Sequence, residues 1–127
     1  MDPTSQSDSA CVLVVEDEAD TRAMMCELVE FAGCASSAAA NGAEALQVLA
    51  SKRPCLVVVD LLMPVMDGRQ LIDAMRADPA LVSIPVIMST SHPSGAPPGV
   101  LLIRKPVDVN ILMNAVNGLL NCRTAKP

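Results

Sequence analysis

The amino-acid sequence predicts an α/β fold in which a doubly wound, five-stranded parallel sheet carries helices on both faces. Short apolar runs alternate with segments of helical periodicity, which is typical of a parallel sheet covered on both sides. The run at 55–59 is continuously apolar, as expected of a strand buried on both faces. The chain has 127 residues, enough for one domain with its own core. We find no internal repeat and no linker to a second domain.

Apolar runs predict five strands, at 11–15, 34–40, 55–59, 86–89 and 100–103. The second is the weakest of these predictions. Pro85 introduces the fourth.

The first helix is predicted over 20–32, where Met24, Leu28 and Phe31 recur at helical spacing. Gly33 follows and is suited to end it.

The three other helices are predicted to begin after residues that cap helices well, Asn41, Asp67 and Asp108. Glu44 and Gln70 lie three residues after the first two caps and complete a capping-box pattern. The second helix runs to about residue 52, and the third ends before Pro79. The buried stripe of the last helix is predicted to be Leu112, Ala115, Val116 and Leu119.

The segment between the fourth and fifth strands is too short for a normal helix. Strand five leaves residues 91–99, of which three are proline and two are glycine. A proline inside a helix costs about 3 kcal/mol and a glycine about 1 kcal/mol. A doubly wound sheet normally has a helix between strands four and five, the fourth helix of the fold. We therefore expect this fourth helix to be shortened or missing, replaced by an irregular, mobile loop or at most one helical turn. The open flank of strands four and five is then a candidate surface for a partner or for a homodimer.

Composition excludes several classes of protein. The net charge of −5 argues against a nucleic-acid partner, and no apolar run approaches the roughly 20 residues of a membrane span. The first ten residues lack the features of a signal peptide, so we expect a cytoplasmic protein. We interpret residues 1–9 as a disordered leader, 10–122 as the domain and 123–127 as a tail. The five cysteines show no C-x-x-C spacing and are interpreted as small apolar residues in a reducing compartment.

Polar residues follow four of the predicted strands, at 16–18, 60, 89–91 and 104–106. In a doubly wound sheet, functional groups gather beyond the carboxyl ends of the strands. Each signal alone is common in turns and solvated loops, but the fold brings all four to one rim.

These residues together suit phosphoryl chemistry. Glu16, Asp17 and Asp60 place three carboxylates in one crevice, and crowded carboxylates attract a hard cation such as Mg²⁺. Lys105 supplies a positive charge and Thr90 a hydroxyl donor. Positioning and charge neutralisation of this kind promote phosphoryl transfer. Asp60 is the candidate nucleophile, because a carboxylate can carry phosphate as an acyl phosphate.

The sequence resembles the receiver domains of bacterial response regulators, from about residue 11 to residue 120. The motifs are V-V-E-D-E at 14–18, V-D-L-L-M-P-V-M-D-G at 59–68, P-V-I-M-S-T-S at 85–91 and K-P at 105–106. The resemblance implies a flavodoxin-like sheet of strand order 2-1-3-4-5. It also implies a signalling phosphoacceptor, not an enzyme in the usual sense, that assists its own phosphotransfer and dephosphorylation.

The resemblance also assigns roles. Asp60 matches the phosphoacceptor, which a histidine kinase or phosphotransfer protein loads, and the output protein is unknown. For Mg²⁺, Asp17 and Asp60 match direct ligands, Glu16 a ligand acting through water, and Leu62 a backbone carbonyl ligand. Thr90 matches the switch hydroxyl, and Lys105 the lysine that pairs with the phosphoryl group.

Three positions depart from the family pattern. Leu102 replaces the usual tyrosine or phenylalanine three residues before the lysine, so coupling of Thr90 to an aromatic rotamer is not expected. Leu62 and His92 are unusual residues at positions that tune acyl-phosphate lifetime. His92 precedes Pro93 and is interpreted as a solvated loop residue, in preference to a phosphorelay or metal-binding histidine.

Three other functions share parts of this pattern. A phosphatase of the haloacid-dehalogenase type carries a second aspartate two positions after the nucleophile, where this chain has Leu62. A flavodoxin-like FMN protein has a Ser/Thr-rich loop after the first strand, where this chain has acidic residues at 16–18. A pseudo-receiver, which docks proteins without phosphorylation, stays open as the alternative.

Overall fold

The structure, a computed structural model, describes residues 11–124, except for the side chains of Pro93 and residues 120–124. The strands are β1 (Cys11–Val15), β2 (Ala35–Ala39), β3 (Leu56–Asp60), β4 (Val86–Thr90) and β5 (Leu101–Arg104). The α-helices are α1 (Ala19–Phe31), α2 (Gly42–Ser51), α3 (Gly68–Arg76) and α4 (Val109–Thr124). The predicted leader at 1–9 lies outside the described residues, and α4 continues two residues into the predicted tail.

The five strands form one parallel sheet in the order β2-β1-β3-β4-β5, which confirms the predicted fold. Asp60, the last residue of β3, pairs in register with Ser89, and Thr90 pairs with Arg104. Parallel strands end at the same edge, so the polar residues that follow β1, β3, β4 and β5 share one rim.

Two apolar clusters form the core, one on each face of the sheet. Alternate residues of β1 belong to opposite clusters, because successive side chains of a strand point to opposite faces. Helices α1 and α4 cover one face with Met25, Val29, Leu112 and Val116. Helices α2 and α3 cover the other with Ala45, Leu49, Leu71, Ile72 and Met75.

The predicted caps of α2 and α3 are confirmed. The Asn41 side chain accepts a hydrogen bond from Glu44 N at 2.9 Å. Asp67 and Gln70 form a reciprocal capping box, with side chain-to-backbone distances of 2.9 and 3.0 Å. Caps of this kind contribute about 1 kcal/mol each, and the second fixes the start of α3 just beyond Asp60.

Of the three apolar residues at helical spacing in α1, Leu28 packs partly against the core, and the other two are exposed. Met24 is 42% exposed and Phe31 is 90% exposed, whereas Met25 and Val29 are buried against the sheet. Helix α1 carries apolar residues on two neighbouring stripes, so spacing alone does not decide which stripe faces the core.

The prediction that no normal helix connects β4 and β5 is confirmed. The only helical turn between β4 and β5 in the described chain is a 3₁₀ turn at Pro93–Gly95. Leu101 and Leu102 on β5 are 47% and 36% exposed, so the flank is open as expected. Mobility of residues 91–99 stays a prediction.

None of the helices formed by residues 11–124 has the length and apolar character of a membrane span.

Candidate functional site

Three carboxylates meet at the rim of the sheet. Glu16, Asp17 and Asp60 each offer one oxygen, and these three oxygens lie within 4.8 Å of one another. Glu16 and Asp60 are buried, whereas Asp17 is exposed. The ends of β1 and β3 place them there, because these strands are neighbours in the sheet.

Lys105 reaches this cluster from the end of β5. Its Nζ donates a hydrogen bond to Asp60 Oδ2 at 3.0 Å and lies 3.6 Å from Glu16 Oε1. Burial of the ammonium alone would lower the pKa of Lys105, but the hydrogen bond and charge of Asp60, with the charge of Glu16, raise that pKa above its ordinary value. Lys105 is therefore charged at neutral pH and faces Asp60 as a cation.

Burial of the Glu16 carboxylate has an electrostatic consequence. Its Oε2 accepts a hydrogen bond from Glu18 N at 3.2 Å, while its buried Oε1 has no hydrogen-bond partner among the described residues. Burial raises the pKa of Glu16, and the nearby charge of Asp60 raises it further, although the Glu18 backbone and Lys105 act in the opposite direction. The surroundings of Glu16 therefore favour the neutral, protonated form of its carboxyl group over the charged form.

Glu16→Gln is expected to stabilise the metal-free protein at pH 7 by on the order of 1 kcal/mol. With its pKa raised on folding, Glu16 contributes stability that is present below the unfolded pKa, near 4.5, and lost as the pH rises through the folded pKa. The gain should therefore disappear as the pH falls towards about 4. Urea denaturation in EDTA at both pH values measures it, with exposed Glu27→Gln as control. An equal gain at both pH values would contradict this explanation.

Arg22 is a supporting residue that the sequence analysis missed. Its Nη1 donates to the backbone carbonyl of Glu16 at 2.9 Å and to that of Asp17 at 3.4 Å. The guanidinium thereby anchors the acidic turn after β1 to helix α1. No local pattern marks this role, because a bond from an arginine to a backbone carbonyl leaves no motif.

The loop from β3 to α3 turns tightly behind Asp60. Met66 N donates to Pro64 O at 2.7 Å, which closes a γ-turn, and Val65 at its centre has φ of 70°. A β-branched residue rarely adopts this backbone conformation.

Gly68 then begins α3, and its N–H donates to Leu61 O at 2.8 Å. A Cβ at Gly68 would lie only 2.5 Å from the carbonyl oxygen of Asp60, so helix and strand end touch through their backbones.

Thr90 lies buried at the end of β4, one residue beyond Ser89, which pairs with Asp60 in the sheet. Its Oγ1 accepts a hydrogen bond from His92 N at 2.8 Å, and its carbonyl accepts one from Lys105 N at 2.9 Å. The rim therefore also holds a hydroxyl whose orientation is tied to the chain that follows.

The two remaining predicted positions border this site. Leu62 is two residues beyond Asp60, and its side chain is 54% exposed. His92 is exposed, as its interpretation as a solvated loop residue requires. The predicted side chains thus converge at one rim, while Leu62 is expected to contribute only its carbonyl.

Comparison with known proteins agrees with this fold. The sequence profile of the response regulator receiver domain matches residues 12–98. A crystal structure of the signal receiver domain of a signal transduction histidine kinase from Syntrophus aciditrophicus is 30% identical, with a TM-score of 0.82. The structural match covers 93% of this chain and 95% of that domain.

Two relatives in sequence are larger than the matched region. Protein PilG of Pseudomonas aeruginosa is 35% identical over 86 residues, which are 68% of this chain and 64% of PilG. An uncharacterized 14.6 kDa protein of Leptolyngbya boryana is 38% identical over 81 residues, which are 64% of this chain and 62% of that protein. The chain thus spans less than two thirds of these relatives.

Proposed function

This chain belongs to the response regulator receiver domain family, and from that premise we propose that Asp60 accepts a phosphoryl group from a histidine kinase or phosphotransfer protein. Members of this family are signalling modules, not classical enzymes. The observation that carries the proposal is the convergence of Glu16, Asp17 and Asp60 within 4.8 Å, with Lys105 bonded to Asp60 at 3.0 Å.

The proposed reaction is a displacement at phosphorus. A carboxylate oxygen of Asp60 forms a P–O bond while the P–N bond of a phosphohistidine breaks. The bonding pair leaves with the imidazole nitrogen, which takes a proton from solvent, and Asp60 carries an acyl phosphate. Lys105 supplies the positive charge that faces the added phosphoryl oxygens, and Thr90 supplies the hydroxyl donor at the end of β4.

The acidic residues also fit a bound Mg²⁺. Three carboxylates and one ammonium leave a net charge of −2 in the crevice, and Glu16 Oε1 is a buried acceptor without a hydrogen-bond partner in the described chain. Oxygen ligands of this type are those that Mg²⁺ prefers. We propose Asp17, Asp60 and the Leu62 carbonyl as direct ligands and Glu16 as a ligand through water. When bound, the ion neutralises phosphoryl charge.

Asp17→Ala is expected to weaken Mg²⁺ binding about tenfold or more, because it removes a direct ligand. Isothermal calorimetry with Mg²⁺ measures the affinity. Asp20→Ala is the matched control, since it removes an exposed carboxylate on α1, three residues further along. Equal affinity in Asp17→Ala and the unchanged protein would refute the assignment of Asp17.

A docking module without phosphorylation is the second candidate. It is favoured by the open flank where Leu101 and Leu102 are exposed and only a 3₁₀ turn precedes β5. The intact set of Asp17, Asp60, Thr90 and Lys105 speaks against it, because these charges are costly to crowd together without a use. In either case, we place the protein in the cytoplasm, with an output protein or a second copy at the β4/β5 face.

A further inference from the structure

Part of residues 91–99, here called the 91–99 segment, packs against the sheet face that α2 and α3 cover. Pro97 is buried. Ala96, with Val100 just beyond the segment, contacts the apolar cluster that includes Leu71 and Met88. This part of the chain therefore has a defined packing position although it contains a single 3₁₀ turn.

Two arginines of α3 reach across to this segment. Arg69 Nη1 donates to the carbonyl of Gly95 at 3.2 Å, and Arg76 Nη2 donates to the carbonyl of Pro98. The two arginines are seven residues apart and thus lie on the same side of the helix. Carbonyls of a segment that forms only a single 3₁₀ turn need other donors, and these guanidinium groups supply two of them.

The bond from Arg69 continues through the backbone to the site. Gly95 accepts from Arg69 and donates its own N–H to the carbonyl of His92 at 3.0 Å. His92 in turn donates its N–H to Thr90 Oγ1 at 2.8 Å. An unbroken series of three hydrogen bonds therefore links the Arg69 guanidinium to the Thr90 hydroxyl.

We infer that Arg69 and Arg76 are positioning residues that hold the 91–99 segment on helix α3, and that Arg69 fixes the rotamer of Thr90 through Gly95 and His92. In this chain the two side chains take the place of a helix between β4 and β5. Anchoring and the Thr90 rotamer are properties of the unmodified protein; only their use in signalling rests on the proposed function. A phosphoryl group that bonds the Thr90 hydroxyl would then act on the segment through the same hydrogen bonds.

Arg69→Met and Arg76→Met test the anchoring, since methionine keeps an unbranched apolar side chain and removes the guanidinium. Amide hydrogen exchange is measured by NMR in the metal-free protein. Exchange of the Gly95 and His92 amides is expected to speed up roughly three- to tenfold in Arg69→Met, while the Val58 amide in the central strand β3 keeps its rate. Arg53→Met, which removes the same charge from an exposed position beyond the end of α2, should leave these amides unchanged. Unchanged exchange of both amides in Arg69→Met would overturn the anchoring role.

The Thr90 rotamer tests the connection to the site independently of phosphorylation. Three-bond couplings should show one χ1 rotamer in the unchanged protein, averaging in Arg69→Met and a single rotamer again in Arg69→Lys, which retains a donor. A single rotamer in Arg69→Met would overturn the connection from Arg69 to Thr90. Labelling by acetyl phosphate reports separately on the proposed function: if the unchanged protein takes up no phosphoryl group, that function fails, while exchange and rotamer still decide this inference.

Discussion

Asp60→Asn is expected to reduce phosphoryl uptake from acetyl phosphate and Mg²⁺ to background. Intact-mass spectrometry of the unchanged protein should show a gain of one phosphoryl group, and the variant should show none. The reason is chemical, because the asparagine amide does not form an acyl phosphate. The fold should be retained, since asparagine has the same shape and its oxygen can still accept the hydrogen bond from Lys105.

Asp73→Asn is the matched control for this experiment. Asp73 is an exposed aspartate on α3, away from the acidic cluster, so its substitution should leave the mass gain unchanged. A persistent mass gain in Asp60→Asn would show that another residue is modified. A missing gain in the unchanged protein would favour the docking module.

Gly68→Ala is expected to destabilise the protein by about 1–3 kcal/mol and to slow phosphoryl uptake. The new Cβ would meet the carbonyl oxygen of Asp60 at 2.5 Å and the Cα of Leu61 at 3.1 Å. Both are backbone atoms of the chain that carries the nucleophile, so neither can turn aside as a flexible side chain would. Helix α3 must shift, and the carboxylate of Asp60 shifts with it.

Gly118→Ala gives the control for this substitution. Gly118 lies in α4 with open space around its Cβ position, so alanine should stabilise the protein by up to about 1 kcal/mol. Urea denaturation followed by circular dichroism measures both variants, because the chain has no tryptophan or tyrosine for fluorescence. Equal stability of Gly68→Ala and the unchanged protein would show that the loop absorbs the Cβ.

The sequence predicts those features of the fold that depend on local chemistry. The central strands β1 and β3 are apolar apart from Asp60, and Asn41 and Asp67 cap helices because their short side chains reach the backbone N–H groups of the first turn. The site could be predicted for a topological reason, since the carboxyl ends of β1, β3, β4 and β5 meet at one rim. The proximity of Glu16, Asp60 and Lys105 could therefore be predicted without any knowledge of the distances between them.

Features that depend on three-dimensional neighbours could not be predicted. Helical spacing relates Phe31 to Met24 and Leu28, but spacing does not show that Met25 and Val29 face the sheet while Phe31 is exposed. Arg69 and Arg76 bond to backbone carbonyls 26 and 22 residues away, and a carbonyl is present at every position. The sequence also indicated three carboxylates without showing that burial falls on Glu16 and Asp60 and spares Asp17.

The prolines of the 91–99 segment have a consequence for the unfolded chain. Each proline at a compatible position removes backbone freedom before folding, which stabilises the native state by about 0.4–1 kcal/mol. With Pro93, Pro97 and Pro98, the entropy lost on ordering this stretch is smaller than for an ordinary nine-residue loop. The restricted backbone of the unfolded chain therefore contributes to the stability of the packed segment. This contribution is not visible in the contacts of the native structure.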